Sequence, residues 1–310
     1  MKHQQPYFSI VIPTYNRPEQ LARCLESLTR LDYPRQDFEV IVVDDGSTTP
    51  LEPIVTRYKL NLTLIHQANS GPAAARNTGV KRAKGKYLAF TDDDCTPAPD
   101  WLTTLADRFA TAPNCMIGGQ TLNALRQNPY STASQLLVDY LYIFHQTSLP
   151  QLHFFTSNNM SLPTEMFRNL GGFDTTFTLA AAEDRELCDR WLHYGYEMIY
   201  APEVQIYHAH QLTLASFWRQ QFNYGRGAFN FQVCRSSRTR EKTKVNPLKF
   251  LFNLLTYPFW QNLQKFEHPA ILLTLLLFVS QVAAIAGLFR ETFSRNSFRN
   301  LDFSLFVPDK

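Results

Sequence analysis

Residues 87–95 read YLAFTDDDC. A short apolar run, 87–90, passes into three consecutive aspartates, Asp92, Asp93 and Asp94. The run has the length and composition of a buried strand. Like charges this close repel one another. The triplet is therefore either a solvated turn, to which aspartate is suited, or a place where something cationic sits. Asp92 and Asp94 stand two apart, and a carboxylate pair with that spacing at a strand end can reach one hard cation together. Mg²⁺ and Mn²⁺ take oxygen ligands and keep positions open for phosphate oxygens.

The same pattern recurs upstream. Residues 8–12, FSIVI, form a short β-rich run that Pro13 is expected to halt. A helix is expected next, with Leu21, Leu25 and Leu28 at helical spacing and Pro18 in its first turn. Residues 38–43, FEVIVV, are nearly all apolar, as in a strand covered on both faces. They stop at Asp44, Asp45, Gly46 and Ser47. Residues 62–65 predict a third strand, 77–84 a helix and 87–91 a fourth strand. This alternation predicts the α/β class: an open, mostly parallel sheet with helices on both faces. In such sheets ligands bind outside the carboxyl ends of the strands. Pro13, Thr14, Tyr15, Asn16 and Arg17 fall at one end, Asp44 and Asp45 at a second, and the aspartate triplet at a third. Their shared topological position makes them one candidate site.

Other residues have two readings each. Asp45 can accept hydrogen bonds from a ribose hydroxyl or a base N–H, or be a turn residue before Gly46. The stretch 70–79, SGPAAARNTG, is small enough to admit a ligand, and its Arg76 suits phosphate; the alternative is an ordinary helix start with a solvated arginine. No GxGxxG is present, which disfavours a dinucleotide dehydrogenase. Glu183 and Asp184 open a segment, 182–193, with Leu187, Cys188, Trp191 and Leu192 on one helical face. Asp184 lies three and four residues before Leu187 and Cys188, so it belongs to the buried face at the N-terminal end. There it is a helix cap or an acid/base group, and a helix N-terminus favours the ionised form that a general base needs. His208 follows a predicted strand, 204–207. It is a metal ligand, a phosphate contact or a structural histidine.

The totals bound the class. With 310 residues, 45% hydrophobic and 18% charged, the chain can bury a sizeable core, and wholesale disorder is excluded. A net charge of +3 makes no case for nucleic acid. The five cysteines are scattered and never in CxxC spacing, against a disulfide framework or a zinc site and for a reducing compartment. The opening MKHQQPYFSIVI does not read as a signal peptide. The tail differs in kind. Residues 235–249 carry six Lys/Arg and one Glu, 250–260 (FLFNLLTYPFW) are apolar and aromatic, and 269–289 run 21 residues without a charge. As a helix the last run reaches roughly 30 Å, about a bilayer core. The expected organisation is the α/β domain over 1–234 and a basic, membrane-associated helical tail over 235–310, with 269–289 as candidate transmembrane helix. The basic stretch would meet anionic headgroups on the cytoplasmic face. An interfacial or buried helix after a charged linker is the alternative.

The motifs IVIPTYNR (10–17), VVDDGS (42–47), GPAAARNTG (71–79), FTDDD (90–94), SNNMSLPTEMFRNLGGFD (157–174) and AAEDRELCDRW (181–191) occur in this order. In these the chain resembles the family 2 glycosyltransferases, whose fold is called GT-A, over roughly residues 7–230. The resemblance implies transfer of a sugar from a nucleotide-diphosphate donor, with inversion at the anomeric carbon. It implies a donor site at Pro13, Thr14, Tyr15, Arg17, Asp45, Arg76, Asp92 and Asp93. It implies a Mn²⁺ or Mg²⁺ cofactor on Asp92 and Asp94, with Asp94 favoured as the direct ligand and the triplet leaving that ligand open by one residue; His208 is a further candidate by its position alone. The metal would assist the leaving diphosphate. Asp184, beside Glu183, corresponds to the base that takes the acceptor proton. Processive synthases of the family carry QxxRW after the base, whereas here 216–227 read SFWRQQFNYGRG, which points to a single-transfer enzyme. A membrane placement suits a lipid-linked or cell-envelope glycan acceptor. Two rivals remain: a nucleotide-binding scaffold of this fold without catalysis, and a sugar-nucleotide pyrophosphorylase, which needs a glycine-rich loop after the first strand that 13–16 lack.

Overall fold

The structure is a computed structural model that describes residues 7–148, 154–239, 246–261 and 267–294. Its strands are β1 (Phe8–Thr14), β2 (Phe38–Asp44), β3 (Leu62–His66), β4 (Tyr87–Phe90), β5 (Cys95–Pro97), β6 (Met116–Asn123), β7 (Met160–Pro163) and β8 (Met198–His208). The helices are α1 (Pro18–Leu28), α2 (Glu52–Val55), α3 (Pro72–Arg82), α4 (Trp101–Thr111), α5 (Pro129–Ser148), α6 (Thr164–Asn169), α7 (Glu183–His193), α8 (Leu214–Arg238), α9 (Pro247–Trp260) and α10 (Ala270–Ser294). They fall into two compact units. The first lies within Met1–Leu122 and Phe154–Ala209, the second within Asn123–His153 and His210–Lys310. The division expected at 234/235 falls inside α8; the units part at 122/123, 153/154 and 209/210 instead.

The first unit holds one eight-stranded sheet, ordered β3-β2-β1-β4-β7-β6-β8-β5. The four strands expected from sequence form its parallel half, β3-β2-β1-β4. The sheet is mixed beyond them: β7 is antiparallel to β4 and to β6, and β5 to β8. On one face of the parallel half, Phe8, Ile10, Ile12, Val40 and Val42 pack with Leu21, Cys24, Leu25 and Leu28 of α1. On the other, Gly79 of α3 sits so close that a Cβ there would lie 2.5 Å from Val11 Cγ1. Glu39 is buried within β2, where Ser9 Oγ and the Lys84 backbone N–H donate to it at 2.7 and 2.6 Å.

β1 does not stop at Pro13 but runs on to Thr14. The register explains it. β4 pairs only with residues 8–11, so the N–H that proline lacks is not missed on that side. β1 therefore reaches past its β4 neighbour and presents Thr14 at the switch point, where the strand order turns from β2 to β4.

In the second unit, α5 packs with the three C-terminal helices. Leu136 joins Phe217, Leu273 and Leu276 in one cluster, and Leu137 and Tyr140 join Leu254 and Leu277 in another. α8 and α10 approach backbone to backbone. A Cβ on Gly225 would lie 1.8 Å from the Ala284 carbonyl oxygen, and one on Gly287 1.9 Å from that of Phe222. Arg226 Nε donates to Glu291 Oε1 at 2.5 Å across the same pair. The uncharged 269–289 run lies in α10, the one helix among the described residues long and apolar enough to cross a membrane.

Candidate active site

Each member of the aspartate triplet has its own partner. Arg76 Nη2 donates to Asp92 Oδ1 at 2.6 Å. Thr14 Oγ1 donates to Asp93 Oδ2 at 2.7 Å, and Arg17 Nη1 reaches Asp93 Oδ1 at 3.2 Å and Asp94 Oδ2 at 3.0 Å. His208 Nε2 lies 3.2 Å from Asp94 Oδ1. The charges are thus offset within the protein by two arginines and a histidine. Burial pushes Asp93 up to about 7, with Asp94 and Asp92 adding to the rise and Arg17 and Thr14 opposing it. Burial works against the His208 cation, yet the neighbouring Asp94 holds its pKa above the ordinary histidine value.

Arg76 carries the site across the fold. It is buried on α3, stacked 5.6 Å from the Phe173 ring, and its second nitrogen, Nη1, donates to Glu183 Oε1 at 3.1 Å. One guanidinium therefore joins the triplet to the acidic pair that opens α7. Ala182, in left-handed conformation at φ 71°, turns the chain into that helix. Leu187, Cys188 and Trp191 are fully buried behind the pair, and Leu192 is half-buried. Asp184, itself half-buried, accepts the Arg185 N–H at 2.8 Å and the Ser157 N–H at 3.3 Å. Burial raises both carboxyls of the pair above the ordinary range, and Arg76 and the N–H donors do not cancel it.

Asp45 fastens a loop. Its carboxylate accepts Gln67 Nε2 at 2.7 Å and the Ser70 and Gly71 N–H groups at 2.9 Å each. This holds the small-residue stretch that leads into α3. Asp44 accepts Ser47 N–H and faces His66 Nδ1 at 3.0 Å. Pro13 is half-buried in β1 and Tyr15 is exposed just after it.

Sequence reasoning placed Asn16 in the 13–17 cluster without a role for it, and missed two further contributors, Gln67 and Cys95. Asn16, at φ 54°, ties the β1 loop to the β2 loop by accepting Thr48 N–H and donating its own N–H to Ser47 Oγ, both at 2.8 Å. Asparagine tolerates that conformation, which was the available signal. Gln67 carried no signal. Cys95 lies directly across from His208 in the β5–β8 pairing, and the strand that brings them together is only three residues long.

Ligand atoms of Asp94, Cys95 and His208 lie within 4.8 Å of one another. The Asp94 oxygen and the His208 nitrogen suit a divalent cation such as Mn²⁺, whereas burial and the neighbouring aspartates keep the Cys95 thiol protonated.

The acids thus lie at the carboxyl ends of the parallel strands, and Arg76 joins them to a second acidic pair. A family model described as Glycosyl transferase family 2 matches residues 9–171, and the chain belongs to that family. Among its relatives, the glycosyltransferase AglE of Haloferax volcanii is 27% identical over 72% of this chain and 73% of its own. The validoxylamine A glucosyltransferase of Streptomyces hygroscopicus is 31% identical over 64% of this chain and 54% of its own, so this chain spans about half of that relative. Among solved structures, the mannosyltransferase PcManGT of Pyrobaculum calidifontis, in complex with GDP-Man and Mn²⁺, has a TM-score of 0.66 at 20% identity, covering 94% of this chain and 89% of that one. TarS 1–349 of Staphylococcus aureus with UDP-GlcNAc has a TM-score of 0.56 at 17% identity, covering 96% and 94%. These likenesses establish the fold.

Proposed function

We propose that the chain is an inverting, metal-assisted, single-transfer glycosyltransferase with Asp184 as general base. Its donor is a nucleotide-diphosphate sugar. Its acceptor is a hydroxyl of a lipid-linked or cell-envelope glycan at the cytoplasmic face of a membrane. The observation that carries this reading is the Arg76 bridge, which holds the triplet and the Glu183–Asp184 pair in one site.

The two acids of the pair differ in availability. Glu183 is buried and ion-paired to Arg76, whereas Asp184 is half-buried and held by backbone N–H groups. Asp184 takes the proton from the acceptor hydroxyl as that oxygen bonds to the anomeric carbon. The bond from that carbon to the diphosphate oxygen breaks, and its electron pair leaves with the diphosphate. Attack opposite the leaving group inverts the centre. Asp94 and His208 would hold Mn²⁺ or Mg²⁺, with Asp92 nearby on Arg76. Such an ion, when bound, supplies Lewis-acid stabilisation of the departing charge. Arg17 and Arg76 keep the triplet's carboxylates in place, and Asp45 holds the 67–71 loop beside the donor.

The named complexes of PcManGT with GDP-Man and Mn²⁺ and of TarS with UDP-GlcNAc support this donor class and cofactor. The poly(ribitol-phosphate) β-N-acetylglucosaminyltransferase TarS of Staphylococcus aureus, 41% identical over 91 residues that make up 28% of this chain and 16% of its own, supports a polymeric acceptor bearing hydroxyl groups. α10 supports the membrane location.

A donor screen tests the reading. Each common sugar nucleotide is offered to detergent-purified protein with Mn²⁺ or Mg²⁺, and nucleoside diphosphate release is followed. Metal-dependent release from one donor is expected. Binding of nucleotide without turnover on any donor and acceptor would favour the non-catalytic scaffold.

A further inference from the structure

α10 has two unlike long faces. One is packed inside the second unit, where Leu273, Leu277, Ser280, Ala283 and Gly287 are buried. The other is exposed and apolar along its length. Ile271, Leu275, Phe278, Val282, Ile285 and Phe289 recur at alternating steps of four and three, which keeps them on one stripe. α9 adds exposed Phe252, Phe259 and Trp260, the last 82% exposed at the helix end. A monomeric soluble protein rarely leaves so many large apolar side chains of neighbouring helices uncovered.

The buried face limits how this surface could meet a bilayer. α8 runs antiparallel to α10 with its backbone in contact, as the approaches of Gly225 to Ala284 and of Gly287 to Phe222 fix. α8 carries Arg219, Arg226, Arg235 and Arg238, together with several glutamines and asparagines. If α10 crossed the hydrocarbon, α8 would be drawn in beside it. Each arginine at bilayer depth costs about 2.5–3.5 kcal/mol on insertion scales. Arg226 is paired, to Glu291 of α10, but that pair would be carried inside as well.

We propose that the α9–α10 apolar face lies flat in the headgroup region of an anionic membrane and that α10 does not cross it. An interfacial helix seats its apolar stripe about 5–10 Å into the boundary and keeps its polar side in water. α8 then stays on the aqueous side. Charge complementarity names the lipid. The 235–249 stretch, leading from the end of α8 into α9, carries six Lys/Arg against one Glu, and Lys249 is exposed on the first turn of α9. Such a cluster is attracted to acidic headgroups. Trp260 matches the preference of tryptophan for the interface. The inference rests on the membrane placement proposed above and is independent of the transfer chemistry.

The test uses the full chain and sealed phosphatidylcholine vesicles, with and without phosphatidylglycerol. The protein is expected to sediment with the phosphatidylglycerol vesicles, more weakly in high salt, and to be released by alkaline carbonate without detergent. In a Cys234→Ser background, Glu267→Cys and Ser294→Cys flank α10, and both are expected to react with a membrane-impermeant maleimide added outside. Phe278→Glu with Val282→Glu is expected to lower vesicle affinity about tenfold or more, with nucleotide binding unchanged as the control for folding. Protection of one of the two cysteines would mean that α10 crosses, which overturns the inference and leaves the membrane placement standing. No sedimentation with either vesicle would overturn both. A concentration-dependent dimer that Phe278→Glu dissociates, without lipid binding, would show a second copy on this face and overturn the inference.

Discussion

Arg76 is the residue on which both acidic clusters converge. It is buried, its charge is shared between Asp92 and Glu183, and Glu183 is equally buried. Removing one member of a buried ion pair leaves the other uncompensated, at a cost of about 3–5 kcal/mol. Arg76→Ala is therefore expected to lower thermal stability as well as activity; an unchanged Tm would show that the bridge is not structural. Asp184→Asn is expected to lower kcat about 10²–10⁴-fold while calorimetry still detects nucleoside diphosphate binding. The sign of the pH dependence follows from the raised pKa of the pair. A base works deprotonated, so kcat/KM should fall as pH drops through the raised value. That acid limb lies closer to neutrality than the ordinary carboxylate range, and a profile flat down to pH of about 5 would remove Asp184 from the role. Asp94→Ala should abolish the Mn²⁺ dependence of nucleotide binding by calorimetry.

At this scale the sequence was readable wherever composition and strand position coincided. The triplet, Asp45 and the Glu183–Asp184 pair announced themselves in this way. What held them did not. Arg76 and Glu183 are 107 positions apart, and no local pattern encodes a contact of that span. The repulsion within the triplet suggested a metal; the fold answers it first with Arg17, Arg76 and His208.

Among the elements, the parallel half of the sheet was legible because its strands are buried on both faces and read as continuous apolar runs. Of the other half only the end of β8, the strand predicted over 204–207, was. β5 and β7 have three and four residues, and β6 contains Gly118 and Gly119. Such strands exist through their partners rather than through their own propensity. Pro13 misled for a related reason, since its tolerance depends on where β4 ends. α8 was hidden by Gly225 and Gly227, which lower helix propensity. In the fold, the α10 backbone lies directly against Gly225. Adding a methyl there forces two backbones apart. Gly225→Ala is expected to cost about 1–3 kcal/mol, the usual range for overpacking, and to lower the Tm. An unchanged Tm would mean that the two helices do not hold this spacing in solution.

For the whole molecule, composition located the tail but not its relation to the middle of the chain. The apolar 250–260 and 269–289 runs marked α9 and α10. Nothing in 129–148 announced that α5 belongs with them. A cut after residue 239, natural if the tail were a separate anchor, would strip the cover from Leu136, Leu137 and Tyr140. The shortened chain is expected to aggregate or bind a hydrophobic dye where the full chain does not. A soluble, monomeric and dye-silent product would show that α5 is stable without α9 and α10.

The discontinuity of the second unit also sets a timetable. α5 ends at Ser148 and α9 begins only at Pro247. A ribosome adds about 5–20 residues per second, so the Leu137–Tyr140 side of α5 waits roughly 5–20 s for the start of α9, which covers it. Through that interval the nascent chain exposes a sticky surface while its sheet is still half built. The yield of this protein in a cell should therefore respond to chaperone supply and to codon choice between residues 149 and 246 more than its finished stability would suggest.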